Sequence, residues 1–95
     1  MVVVRRALLI VNPASRRGAS ALEGVRQAFA RAGVTCDVVL TARTGHAEEI
    51  ARARAGEYDA VFTLGGDGTV MEVLHALMGG AIPVGVLPGG TGNLV

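Results

Sequence analysis

The sequence predicts an α/β fold, a small open parallel sheet with helices on its faces. Short continuous apolar runs alternate with stretches of helical periodicity along the chain, as strands buried on both faces and their crossover helices require. Glycines gather at the joints between these segments rather than within them. The joints themselves fall into two chemically different sets.

Each element follows in order. Ala7 to Val11 ("ALLIV") is the first buried strand. Ser20 to Ala32 follows as a helix with Leu22, Val25, Phe29 and Ala32 on one face. Ser20-x-x-Glu23 has the form of a capping box, and Gly33 stands where the helix should stop. Cys36 to Leu40 is the second strand. A weaker helix spans about Ala47 to Ala55, with Ile50 its best anchor and Gly56 its stop. Ala60 to Leu64 is the third strand. Val70, Val73, Leu74, Leu77 and Met78 form the apolar stripe of a third helix, and Val84 to Leu87 is the fourth strand. Strand, helix, strand in repetition implies right-handed crossovers and a parallel sheet. No internal repeat or linker divides the chain.

Ninety-five residues suffice for one small domain. Half the chain is hydrophobic but only 3% is aromatic, so Val, Leu, Ile and Ala must build the core. The 14 glycines are about double the usual ~7% share. A net charge of +1 offers no electrostatic case for nucleic acid binding. The single cysteine, Cys36, excludes an internal disulfide and reads as a small core or half-buried strand residue. "MVVVRRALLIV" is interrupted by charge and lacks a cleavage site, so it is not a secretory signal, and no apolar run approaches the ~20 residues of a membrane span. The expectation is a soluble cytoplasmic protein.

In a parallel sheet the strand C-termini share one edge, where ligands bind. The joints at the opposite edge, "AGVT", "AGEYD" and "GGAIP", are plain. Those at the C-terminal edge read "NPASRRG", "TARTGH", "GGDGT" and "PGGTGN". Asn, Ser, Thr, Arg, Gly and one Asp collect there, which points to a site. Gly65, Gly66 and Gly68 would let backbone N–H groups approach an anion beside a helix N-terminus. The same residues also suit a plain tight turn, with Thr69-x-x-Glu72 as a capping box. Asp67 favours the ligand reading, because a carboxylate near phosphate calls for Mg²⁺, a bridging water or a proton to accept. It also suits an N-cap. Neither a Walker A motif nor the dinucleotide fingerprint is present. Gly89, Gly90, Thr91, Gly92 and Asn93 form a second polar, glycine-rich loop at the same edge. Asn12 and Ser15 could bond a ligand or cap a turn, and Arg16 and Arg17 could reach phosphate or stand in solvent. His46 falls at a helix start and His75 on a helix surface, neither with a metal-ligand partner.

"VNPASRRG", "GGDGTVMEV" and "VGVLPGGTGN", in this order and spacing, resemble the diacylglycerol kinase catalytic domain family, which includes bacterial lipid kinases and sphingosine kinases. The resemblance covers nearly the whole chain. It implies a Rossmann-like fold of the NAD kinase and diacylglycerol kinase type. It also implies transfer of the ATP γ-phosphoryl group to a lipid hydroxyl, of diacylglycerol or sphingoid type, with ATP and Mg²⁺ as cofactors. By position it assigns Asn12, Pro13, Ala14, Ser15 and Arg16, then Thr41, then Gly66, Asp67, Gly68, Thr69, Val70, Met71 and Glu72, and finally Thr91, to the nucleotide. Asp67 would be the catalytic acid, acting through Mg²⁺ or water or accepting the lipid proton. The chain departs from the family's usual Gly at Arg16 and its usual Asp at Leu94.

The resemblance also implies an incomplete nucleotide-binding domain over residues 1–95, a truncated sheet, and a β-rich lipid-binding domain absent from this chain. The expectation is a fragment inactive by itself, drawn from a parent with peripheral membrane contact. Its exposed sheet edge would be free to pair with another copy. Two alternatives stand beside this reading: an NAD kinase-like phosphotransferase, which also uses a GGDG loop, and a non-catalytic α/β module that keeps the loops as turns.

Overall fold

The computed structural model describes residues 3–87, with the backbone alone at 16–18. Strand β1 is Arg6–Val11, helix α1 Arg16–Arg31, β2 Thr35–Leu40, α2 His46–Arg54, β3 Ala60–Leu64, α3 Asp67–Leu77 and β4 Val84–Leu87. A 3-10 turn, Ala55–Glu57, extends α2. The four strands form one parallel sheet in the order β2-β1-β3-β4. The expected open α/β sheet is therefore the fold.

The central strand β1 explains the unbroken apolar run. Ala7 through Val11 are all fully buried, because alternate side chains enter two different cores. Leu9 and Val11, with Leu64 of β3, pack against Ala21, Leu22 and Val25 of α1. Leu8 and Ile10, with Val61, pack against Ala47, Ile50 and Ala51 of α2 and Val73 of α3. Helix α1 thus covers one face of the sheet, and α2 and α3 lie side by side on the other. The α1 side is completed by Phe62, whose ring meets Phe29 edge-on at 5.0 Å and lies over Gly85 of β4. A Cβ at Gly85 would stand 2.5 Å from two atoms of that ring, so glycine is required there by packing.

Helix α1 starts a full turn earlier than the Ser20 capping box suggests. Asn12 makes the turn instead: its Oδ1 accepts the Ala14 N–H at 3.0 Å and its carbonyl accepts the Ser15 N–H at 3.1 Å. Pro13 supplies the fixed φ of the next position. The Ser15 carbonyl then accepts the first helical bond, from Ala19, so Ser20 is an interior residue. The C-terminus ends as expected. Gly33 has φ 76°, and the Val34 and Gly33 N–H groups return to the carbonyls of Phe29 and Ala30, a Schellman ending.

Helix α2 is weakly amphipathic because its buried residues other than Ile50 are alanines, Ala47 and Ala51, with Ala55 of the 3-10 turn following them. Small side chains let it lie close to the sheet. The α-helix ends at Arg54, just ahead of Gly56, and the chain tightens from Ala55 into the 3-10 turn that carries Gly56. Helix α3 buries less of its stripe than expected. Val73 is fully buried and Val70 and Leu77 are half-buried, whereas Leu74 and Met78 are 41% and 74% exposed. The inward arc is centred on Val73 and includes Thr69, which is 6% exposed. Leu74 and Met78 lie outside it.

At the strand N-terminal edge, the Asp59 carboxylate accepts the N–H groups of Arg5 and Arg6 at 2.8 and 2.9 Å. This fastens the approach to β3 onto the start of β1. Tyr58 is buried nearby and donates its hydroxyl to Asp37 of β2 at 2.6 Å. Cys36 takes the second of its two expected settings: it is half-buried, and burial pushes its thiol pKa up. No helix among the described residues is long and apolar enough to cross a membrane.

Candidate functional site

Three of the four polar joints are described, and all three meet at the C-terminal edge of the sheet. The strand ladder continues into them. The Asn12 N–H donates to the Leu64 carbonyl at 3.0 Å and the Thr41 N–H to the Val11 carbonyl at 2.8 Å. These bonds hold the starts of the Asn12, Thr41 and Gly65 loops in register.

The Gly65 loop is tight for a packing reason. A Cβ on Gly65 would approach the Asn12 Cβ to 3.0 Å and the Thr69 Oγ1 to 3.3 Å, so glycine lets the first and third loops touch. Gly66 then caps α3 with extended backbone, and Asp67 and Gly68 open the helix. Around a Cβ built on Gly66 or Gly68 no atom of the described residues lies within 4 Å. Among the described residues, packing imposes no steric need for glycine at these two positions.

The Thr41 loop is ordered by polar contacts. The Ala42 N–H donates to Nδ1 of His46 at 2.8 Å, and the His46 N–H donates to the Arg43 carbonyl at 3.1 Å. Gly45, at φ 86°, turns the chain into α2 and has no side chain with which to cap it. That task falls to α3. Glu72 accepts the Gly45 N–H at 2.9 Å, the Ala47 N–H at 3.1 Å and, more loosely, the Glu48 N–H at 3.4 Å. The local Thr69–Glu72 capping box does not form, because Glu72 caps its neighbour helix. Arg43 pairs with Glu49 through two bonds of 2.8 and 2.6 Å. The guanidinium holds the Glu49 carboxyl below its usual pKa, and the carboxylate raises that of Arg43. His46 opens α2 as expected. His75 is exposed on α3 and reaches Glu48 of α2 at 3.2 Å.

Between the three loops lies a cavity of about 490 Å³. Of the residues expected at a ligand, Asn12, Pro13, Ala14, Thr41, Gly68, Thr69 and Glu72 line it. Ser15, Gly66, Asp67, Val70 and Met71 do not line it. For Asp67 the reason is helical: Gly68 and Glu72 are four residues apart and share a face, whereas Asp67 and Glu72 are separated by about 140° around the axis. Asp67 is exposed at the helix start, and its carboxylate makes no hydrogen bond or ion pair among the described residues. The Arg16 side chain and residues 88–95, Thr91 and Leu94 included, lie outside the described residues. Ala42, Arg43, Thr44 and Ala47 also line the cavity and were not expected there. The polar setting of Ala42, Arg43 and Thr44 was visible in "TARTGH". Their position depends on the docking of α2 against α3, which no local pattern carries. Among the described residues no group of three His, Cys, Asp or Glu could hold a metal ion.

A parallel α/β sheet with a glycine-opened helix and an Asx-turn loop converging on one cavity is the arrangement in which such sheets bind ligands, at the carboxyl ends of their strands. The chain matches the diacylglycerol kinase catalytic domain over residues 6–95 and belongs to that family. It is 35% identical over 100 residues to sphingoid long chain base kinase 4 of Schizosaccharomyces pombe, an overlap of 94% of this chain and 22% of that protein. It is 36% identical over 94 residues to a diacylglycerol kinase of Mycobacterium tuberculosis, covering 95% of this chain and 30% of the relative. A diacylglycerol kinase structure from Bacillus anthracis superposes with a TM-score of 0.80 at 29% identity, over 93% of this chain and 34% of that one. The chain spans between 13% and 33% of the length of the curated relatives it matches.

Proposed function

We propose that this chain is the nucleotide-binding part of an ATP-dependent lipid kinase, which passes the γ-phosphoryl group of ATP to a lipid hydroxyl of diacylglycerol or sphingoid type. The observation that carries this reading is Gly68. It lines the cavity at the amide end of α3, in a place where the protein itself leaves room for a side chain. A glycine that packing among the described residues does not require, at a helix N-terminus facing a cavity, suits the close approach of phosphate to backbone N–H groups. The cavity volume of about 490 Å³ lies within the usual range for a small-molecule site.

Phosphoryl transfer depends on positioning and charge neutralisation more than on covalent help. On this reading the Asn12 turn, Thr41, Gly68 and Thr69 bind and orient the nucleotide, with Arg16 and Thr91 as further contacts. Asp67, exposed at the helix start beside Gly68 and without a hydrogen bond or ion pair among the described residues, is proposed as the group that holds Mg²⁺ or accepts the lipid hydroxyl proton. One carboxylate is enough for the metal, since Mg²⁺ is commonly bound by one or two carboxylates together with substrate phosphates and waters. When bound, Mg²⁺ would neutralise charge on the phosphates. The lipid pocket is proposed to lie in the part of the relatives that these 95 residues do not match, so that the chain alone has little or no transfer activity. Membrane contact would belong to that parent, working in the cytoplasm. Pairing of exposed sheet edges between copies remains part of the same proposal.

Calorimetric titration with ATP and Mg²⁺ tests the reading. Saturable binding that weakens in Asp67→Asn and Thr91→Ala, with no binding of NAD, is the expected result. A preference for NAD would favour the NAD kinase-like alternative, and a folded chain that binds no nucleotide would favour a non-catalytic module.

A further inference from the structure

Glu72 was expected among the nucleotide contacts, and its carboxylate does border the cavity. Yet both of its oxygens are already engaged. Oε2 takes the N–H of Gly45, the residue preceding α2, while Oε1 takes those of Ala47 and Glu48 in the first turn. The first-turn amides of a helix have no partners within it, and α2 has no side-chain cap of its own because Gly45 occupies that position. A carboxylate at this positive helix end makes charge-assisted hydrogen bonds and complements the helix dipole.

What this bond set fastens is one wall of the cavity. Thr41, Ala42, Arg43, Thr44 and Ala47 line it from the α2 side, and Gly68 and Thr69 from α3. Glu72 lies on α3, one turn beyond Gly68, so a single carboxylate fixes the separation of the two walls.

Resting on the nucleotide reading above, we propose that Glu72 is a positioning residue: it holds the Thr41–Ala47 wall at a fixed distance from the α3 N-terminus and does not itself contact the nucleotide. Glu72→Gln separates this role from a direct contact. The substitution keeps the size but removes the charge, and turns an NH₂ group toward one of the backbone donors. Glu72→Asp keeps the charge and draws it back by one methylene.

The test has two readouts on the same chain. Hydrogen exchange without ligand should show Gly45, Ala47 and Glu48 protected in the wild type. In Glu72→Gln their exchange should be roughly tenfold faster, while the β1 amides are unchanged. ATP with Mg²⁺ should then bind roughly tenfold more weakly to Glu72→Gln, with Glu72→Asp intermediate in both readouts. If the Gln variant loses protection in β1 as well, the Asp variant decides. Weaker ATP binding with unchanged exchange at the three amides would make Glu72 a direct contact and overturn the proposal. Faster exchange with unchanged ATP binding would also overturn it, leaving a cap without influence on the site. A wild-type chain with protected amides that binds no ATP would overturn the nucleotide reading itself, and the positioning role with it.

Discussion

Replacing Gly68 by alanine sets folding and binding against each other. Gly68 is the second residue of α3, has no positive φ, and a Cβ there meets no described residue within 4 Å. Alanine in a helix is favoured over glycine by about 0.5–1 kcal/mol. At about 4–8 °C per kcal/mol for a domain of this size, the melting temperature should rise by roughly 2–8 °C. The same methyl group would stand at the cavity wall, between the α3 amides and an approaching phosphate. ATP should therefore bind at least about tenfold more weakly, equivalent to ~1.4 kcal/mol. Gly24→Ala is the control. Gly24 lies within α1, has equally open space for a Cβ and belongs to the opposite face of the sheet, so it should raise stability and leave binding alone. Thermal unfolding and calorimetric titration of the three proteins measure both effects. If Gly68→Ala is at least as stable as wild type and binds ATP with unchanged affinity, the α3 N-terminus is not where the phosphates lie.

Other predictions concern the fold that supports the site. Gly85→Ala should destabilise by about 1–3 kcal/mol, because the new Cβ forces Phe62 off its contact with Phe29; denaturant unfolding measures the loss. Thr63 is buried and its Oγ1 has no hydrogen-bond partner among the described residues. Thr63→Val should accordingly leave stability unchanged or raise it by about 1 kcal/mol, and a lower unfolding midpoint would reveal a partner for the hydroxyl. The N–H groups of Arg6 and Arg5 hold the Asp59 carboxyl below its usual pKa. A carboxyl depressed in the folded state contributes stability above its unfolded pKa, about 3.9, and loses it as pH falls through the lower folded value. The difference in melting temperature between wild type and Asp59→Asn should be constant from neutral pH to about pH 5 and should vanish in stronger acid. A difference that persists there would mean that the carboxylate is not its source.

The parts of the fold legible in the sequence are those in which a local pattern and the tertiary structure ask for the same residues. β1 is wholly apolar because both of its faces are covered, and Gly33 is followed by the chain reversal its φ allows. The start of α1 was misread because Ser20-x-x-Glu23 has the right form in the wrong place. The Asn12 turn, an equally local device, had already begun the helix. In α3 the apolar residues outnumber the buried arc, so periodicity alone could not reveal that Leu74 and Met78 face outward. The site divides in the same way. The gathering of polar loops at one sheet edge follows from topology, and so could be read in advance. The cap that Glu72 provides joins residues 27 apart in sequence, and it was hidden behind a plausible local capping box. The entry of Arg43, Thr44 and Ala47 into the cavity wall depends on that same long-range contact.

Mapping backbone amide shifts while ATP and Mg²⁺ are added, with NAD as the comparison ligand, tests the central claim most directly. Shifts that saturate with ATP and concentrate at Asn12 to Ser15, Thr41 to Ala47, and Gly66 to Thr69 are predicted, with none for NAD. A well-dispersed spectrum that ATP leaves unchanged, or shifts scattered away from these three loops, would contradict the assignment of this cavity to a nucleotide.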